Sequence, residues 1–201
     1  MRIAAVVLAA GEGRRVGGPK ALLRIRGESF LARACRLLAR PPVDDLVVVL
    51  GHDAARVRTE AGLPAAAHVV ENPRYQEGML GSILRGLDAA ERLGADAVLL
   101  HPVDHPRVAP QTVDAVAAAL RDGAVVAVPS HEGRRGHPGG FSRAAWPALR
   151  AASPERGARA VLADHPEWVR HVAGDPGCVQ GVNTPQDLAL LLDGTSDEEG
   201  A

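Results

Sequence analysis

The chain opens on an apolar run over residues 2–8, Arg-Ile-Ala-Ala-Val-Val-Leu, in which no polar residue alternates with the apolar ones after Arg2. A strand that is apolar at every position needs cover on both faces, and a parallel sheet with a helix layer on each side provides it. Further strand-like runs fall at 43–50, 68–70, 97–100 and 125–128. Helical periodicity fills the intervals at 28–40, 53–61, 78–93 and 110–122. Pro41-Pro42 stops the first of these helices, Asp53 is placed to cap the second, and Pro110 stands at a first-turn position where proline is tolerated. This alternation predicts an α/β fold of three layers, a mostly parallel sheet with helices on both faces.

The rhythm breaks after residue 130. A Gly- and Arg-rich loop or hairpin is expected at 130–141, short helices at 142–151 and 157–165, and strands at 168–172 and 178–182. A last helix starts at Thr184-Pro185 and runs to Leu192. Neither a repeat nor a linker is visible, so residues 1–192 read as one domain, with an acidic, disordered tail at 193–201.

Composition narrows the function classes. A net charge of −1 gives no global attraction to nucleic acid or to an anionic membrane. Aromatic residues are only 2%, too few for the stacking platforms of single-strand binders. Cys35 and Cys178 have no metal-ligand spacing and imply no disulfide framework. No apolar run reaches membrane-spanning length and the first run ends in a charged loop, so the chain reads as cytoplasmic.

That charged loop, Leu8-Ala9-Ala10-Gly11-Glu12-Gly13-Arg14-Arg15-Val16-Gly17-Gly18-Pro19-Lys20, sets glycines among cations. Glycines bring backbone N–H groups close to a ligand, and fixed cations beside them suit a triphosphate. Two familiar phosphate motifs fail here. Gly11-x-Gly13-x-x-x-Gly17 is one residue too long for the dinucleotide fingerprint, and its acidic ribose ligand would fall near Leu37–Leu38, inside a helix. Gly18-Pro19-Lys20-Ala21 lacks the Gly-Lys-Ser/Thr of the Walker loop. Loss of the ribose ligand weighs against a nicotinamide-dependent oxidoreductase; a non-catalytic nucleotide-binding protein stays open.

Other loops follow the expected strands at their carboxyl ends, where open α/β sheets bind ligands. Asp104, between Pro102 and Pro106, is a hard oxygen donor suited to Mg²⁺. His101 and His105 would suit zinc if a helix carried them, but the flanking prolines exclude one.

The first loop resembles the signature of the molybdopterin nucleotidyltransferases, the cytidylyltransferases and related guanylyltransferases of molybdenum cofactor synthesis. Leu8, Ala9, Ala10, Gly11, Gly13, Arg15, Gly17 and Lys20 carry the match. The family's Asp-x-Pro is met by Asp104-His105-Pro106, and its terminal motif by Asn183-Thr184-Pro185-Gln186-Asp187. Gly136-His137-Pro138 matches a substrate loop of the cytidylyl-type members, continued here by Gly139-Gly140-Phe141. Asn72-Pro73 and Gly78-Met79-x-x-Ser82 match a loop facing base and substrate, and Arg156-Gly157-Ala158-Arg159 is similar to a further family stretch.

The resemblance implies a Rossmann-like nucleotidyltransferase fold and a Mg²⁺-dependent transfer of CMP from CTP to the phosphate of molybdopterin, with a molybdoenzyme as eventual recipient. It makes Arg15, Lys20 and Asp104 catalytic, and Asp104 and Asn183 ligands of Mg²⁺. It gives the nucleotide to Leu8, Ala9, Ala10, Gly11, Gly13, Arg15, Lys20, Asn72 and Ser82, and the acceptor to Gly78, Gly136, His137 and Pro138. Asp187 is expected only as a first-turn helix charge. The family pairs Ala-Ala-Gly with cytosine and a second glycine with guanine, so Ala9-Ala10 points to CTP. A guanylyltransferase or a sugar-1-phosphate transferase is the alternative.

Overall fold

In the computed structural model, which describes residues 1–193, the opening run is β1 (Ile3–Ala9), buried at every residue. A small ribbon, β2 (Arg24–Ile25) and β3 (Glu28–Ser29), leads into α1 (Phe30–Leu38). Then come β4 (Asp45–Leu50), α2 (Ala54–Glu60), β5 (His68–Glu71), α3 (Met79–Arg92), β6 (Ala97–Pro102) and α4 (Pro110–Arg121). The last third holds β7 (Val126–His131), β8 (Arg134–Arg135), β9 (Gly139–Ser142), α5 (Trp146–Ala151), α6 (Arg159–Asp164), β10 (Val169–Ala173) and α7 (Pro185–Asp193).

The sheet has the order β10-β7-β9-β6-β1-β4-β5, with β8 attached to β7. β1 pairs in parallel with β4 and β6, β4 with β5, and β7 with β10. β9 is inserted antiparallel between β6 and β7, and β8 also pairs antiparallel with β7. Residues of β1 alternate between two apolar cores. Ile3, Ala5 and Val7 pack with α1 and α4, and Ala4, Val6 and Leu8 with α3 and α5. The chain is therefore a three-layer, mostly parallel α/β fold, and cover on both faces is why β1 is apolar throughout.

Local chemistry sets the boundaries. Ser29 caps α1 by accepting the Ala32 N–H at 2.9 Å, so the helix starts at Phe30 rather than at residue 28. Asp53 does not cap α2 as expected: it sits at φ 50°, makes no side-chain cap bond, and lies 3.6 Å from Arg56 instead. The strand expected at 178–182 is also absent. Asp175 caps a 3-10 turn, Pro176–Val179, by accepting the Gly177 N–H at 2.7 Å, and this curls the chain away from the sheet. α7 continues to Asp193, the first residue of the expected acidic tail, and 194–201 lie outside the described residues. Among the described residues no helix is long and apolar enough to cross a membrane.

Candidate active site

Six strands point the same way, so the loops after β1, β4, β5, β6 and β7 share one edge of the sheet. Because β9 runs opposite, its start brings Gly136 and His137 to that same edge. The expected clustering of loops at one rim is thus a product of the topology.

The first loop is shaped by its glycines. Gly13 has φ 63°, and a Cβ there would collide with the Gly18 carbonyl, so the turn tolerates no side chain. Val16 N–H and Gly18 N–H both bond the Gly13 carbonyl, at 2.9 and 3.3 Å. The turn delivers Lys20 to the rim. Gly11 is exposed and a Cβ there would meet nothing within 4 Å. Arg15 is exposed on a 3-10 turn and makes no hydrogen bond or ion pair among the described residues.

At the centre, Lys20 Nζ donates to Asp104 Oδ2 at 2.7 Å and to Asn183 Oδ1 at 2.8 Å. Residues 84 and 163 positions from Lys20 in sequence meet at one ammonium. The side chains of Lys20 and Asp104 are only 18% and 20% exposed, which strengthens the ion pair over a surface one. Val103 N–H bonds the Leu8 carbonyl at 3.1 Å, and Val182 N–H bonds the Asp104 carbonyl at 2.9 Å. The Asp104 loop is therefore pinned to β1 on one side and to the Asn183 loop on the other.

Two oxygens converging on one cation also meet the requirement of Mg²⁺, which takes one or two protein oxygens and completes its shell with phosphates and water. No group of three or more His, Cys, Asp or Glu among the described residues could hold a metal. A site built from one carboxylate and one amide oxygen suits a metal that arrives with a polyphosphate.

Three histidines lie beside this centre. His101 on β6 is fully buried, with no hydrogen-bond partner for either ring nitrogen among the described residues, and burial pushes its pKa down to about 3. Burial likewise lowers His105, and takes His137 to about 4. The His105 and His137 rings meet edge to face, 4.6 Å between centroids, and His105 Nε2 lies 3.8 Å from Asp104 Oδ1. All three are neutral at pH 7, so the positive charge of the centre rests on Lys20 and nearby arginines. Gly136 packs so tightly on Cys178 that a Cβ would collide with it, and His137 N–H bonds the Cys178 carbonyl at 2.9 Å. Pro138 is buried behind this contact.

The other expected residues are distributed unequally. Ala10 is buried against Gly51, and its carbonyl accepts the His52 N–H at 3.0 Å. Ala9 faces the core on the α1 side, and Leu8 faces a cavity on the α3 side. Asn72 and Ser82 are both buried and bond each other, Nδ2 to Oγ, at 3.0 Å, which ties the loop after β5 to α3. Gly78, at φ 114°, starts α3 next to the Pro154 carbonyl. Sequence reasoning missed the rim contacts His52–Tyr75, 3.1 Å, and Gln76–Glu12, 3.3 Å, with Glu12 paired to Arg14. It also understated Asp187, although Thr184-x-x-Asp187 carries the spacing of a capping box.

A family model, the MobA-like NTP transferase domain, matches residues 5–170. Nicotine blue oxidoreductase of Paenarthrobacter nicotinovorans is 32% identical, covering 94% of this chain and 96% of its own. A molybdenum cofactor guanylyltransferase of Rhodobacter capsulatus is 30% identical, covering 96% of each. A 2-C-methyl-D-erythritol 4-phosphate cytidylyltransferase of Deinococcus radiodurans is 41% identical over 64% of this chain and 51% of its own. Among solved structures, Rv0371c of Mycobacterium tuberculosis superposes with a TM-score of 0.82 at 29% identity, covering 96% of this chain and 98% of that one. A second structure of that protein, at 28% identity with a TM-score of 0.77 over 96% of this chain and 99% of that one, is a complex with manganese.

Proposed function

Because the chain belongs to the MobA-like NTP transferase family, we propose that it transfers CMP from CTP to the terminal phosphate of a molybdopterin-type acceptor. An acceptor phosphate oxygen forms a bond to the α-phosphorus of CTP. The bond from that phosphorus to the bridging oxygen of the β-phosphate breaks, and pyrophosphate leaves with its electron pair. The observation that carries this reading is the meeting of Lys20, Asp104 and Asn183 at the carboxyl edge of the sheet.

Nucleotidyl transfer asks the protein mainly for positioning and charge stabilisation. Lys20 holds the Asp104 and Asn183 oxygens on one point and supplies positive charge where the phosphates meet. Asp104 and Asn183 would hold Mg²⁺, which when bound neutralises phosphate charge. Arg15, exposed on the same loop, would add a second positive charge for the triphosphate. The Gly11–Gly13 backbone approaches the phosphates, while Ala10, backed by Gly51, limits the room for the base and so favours cytosine. Asn72 and Ser82 hold the wall of that pocket in shape. The reaction takes place in the cytoplasm, and a molybdoenzyme receives the product.

The full-length similarity to an oxidoreductase favours a second reading, a nicotinamide-dependent reduction on the same fold. One screen separates the two. Pyrophosphate release is measured with each of four nucleoside triphosphates, with and without molybdopterin, beside oxidation of NADH and NADPH with nicotine blue as the electron acceptor. Release with CTP that depends on the acceptor supports transfer; cofactor oxidation without pyrophosphate release replaces it with the second reading.

A further inference from the structure

A second cavity, of about 370 Å³, lies apart from the Lys20 centre, and it shares no lining residue with the cavity that Asp104 and Asn183 line. Three arginines reach it from three separate elements: Arg26 from the β2–β3 turn, Arg33 from α1 and Arg107 from the loop after β6. Asp175 and Gly177, at the 3-10 turn Pro176–Val179, complete the wall.

The carboxylate in this wall is already engaged. Asp175 Oδ2 accepts the Ala109 N–H at 3.0 Å and the Thr112 hydroxyl at 2.5 Å, and its Oδ1 accepts the Gly177 N–H at 2.7 Å. Glu28 stands 3.5 Å from Arg33 but is held by Arg36 through bonds of 2.8 and 2.9 Å. Arg107 gives one N–H to the Leu191 carbonyl at 2.8 Å and has no carboxylate within ion-pair distance among the described residues. Three guanidinium charges against one lining carboxylate make the pocket a positive concavity in a chain whose net charge is −1.

The arginines are positioned by the fold itself. Arg33 Nε donates to the Pro106 carbonyl at 2.7 Å. A Cβ on Gly177 would stand 2.1 Å from the Arg107 carbonyl oxygen, so the 3-10 turn closes directly on the Arg107 backbone. Arg26 sits at φ 50° beside Gly27 at φ 80°, in the tight turn of the ribbon. Donors fixed in this way lose little freedom when an anion binds. Pro106 and Arg107 belong to the loop that carries Asp104, so the pocket backs onto that loop.

We infer that this pocket binds a multivalent phosphate anion of diphosphate size, as a site separate from the Lys20 centre. A guanidinium fork takes phosphate oxygens in pairs, and tetrahedral oxygens can meet forks that arrive from three directions. A carboxylate offers two oxygens in one plane and suits a single fork. The pocket's lining presents no nucleophile and no unengaged base, so its occupant is held there rather than turned over.

Calorimetric titration of the full chain with pyrophosphate, without divalent metal, tests the inference, with Lys20→Ala included to disable the other site. One pyrophosphate per chain is expected to bind Lys20→Ala. Adding Arg107→Gln should weaken that binding at least about tenfold, as for a lost charged hydrogen bond. Arg26→Gly, at a φ that suits glycine, is the companion variant if Arg107→Gln does not fold, and it should weaken the same binding. Citrate, similar in charge but built of planar groups, should bind about tenfold more weakly than pyrophosphate. Binding that vanishes in Lys20→Ala, that neither arginine variant changes, or that citrate equals, overturns the inference.

Discussion

The carboxylate of Asp187 accepts the main-chain N–H groups of both Asn183 and Thr184 at 2.8 Å, while Thr184 Oγ1 accepts the Asp187 N–H at 3.1 Å. This is a reciprocal cap at the start of α7, and it fixes the backbone of Asn183 from the residue that looks, in sequence, like a mere first-turn charge. The bonds from Asn183 and Thr184 hold the Asp187 carboxyl below its ordinary pKa. Asp187→Ala should weaken Mg²⁺-dependent turnover through an increased metal requirement while leaving Lys20 in place. A metal titration of activity that matches the wild type would separate the cap from the site.

Lys20 is the shared donor of the centre. Removing one preorganised charge-stabilising donor costs on the order of 10²–10³ in turnover, and Lys20→Ala should fall in that range. The loss should appear in kcat with the folded state intact by circular dichroism. Near-normal turnover would remove Lys20 from the mechanism.

Much of the site was legible because its parts are short motifs tied to strand ends. Asp104 follows a buried strand between prolines, and Asn183 precedes a Thr-Pro helix start, so both could be placed on loops at the binding edge without knowledge of their distance. Their meeting at Lys20 depends on strand order, which no local pattern carries. The same limit hid the Asn72–Ser82 bond, since residues matched to a nucleotide loop can also face one another. The missing strand at 178–182 shows the opposite failure. An apolar run reads as a strand, yet Asp175, three residues upstream, caps a turn that bends it away.

Ala10 closes on the Gly51 backbone so tightly that a Cβ at Gly51 would stand 2.8 Å from the Ala10 methyl. Ala10→Gly would loosen that wall. The ratio of GTP to CTP turnover should rise, measured as pyrophosphate release for each nucleotide at matched concentration. A constant ratio would move base selection to another part of the loop.

The buried imidazoles make stability depend on pH. His101 has its pKa pushed down from 6.5 to about 3 by burial, so between those values the unfolded chain binds a proton that the folded one does not. Stability therefore rises with pH through that window and is lost as pH falls below about 6.5. For His101 alone the loss between pH 7.5 and pH 5 is on the order of 2 kcal/mol. Urea unfolding at both pH values checks this, with His101→Phe as the comparison. The variant should lose less stability on acidification; an equal loss in both proteins would assign the effect to other groups.

The most direct measurement follows the phosphorus. The protein is incubated with CTP labelled at the α-phosphate, molybdopterin and Mg²⁺, and label in the acceptor is compared with pyrophosphate released, for the wild type and for Asp104→Ala. The account predicts label in the acceptor in equal amount to pyrophosphate, and none of either above background with Asp104→Ala. Label that stays in CTP, or transfer that survives Asp104→Ala with its Mg²⁺ requirement unchanged, would contradict it.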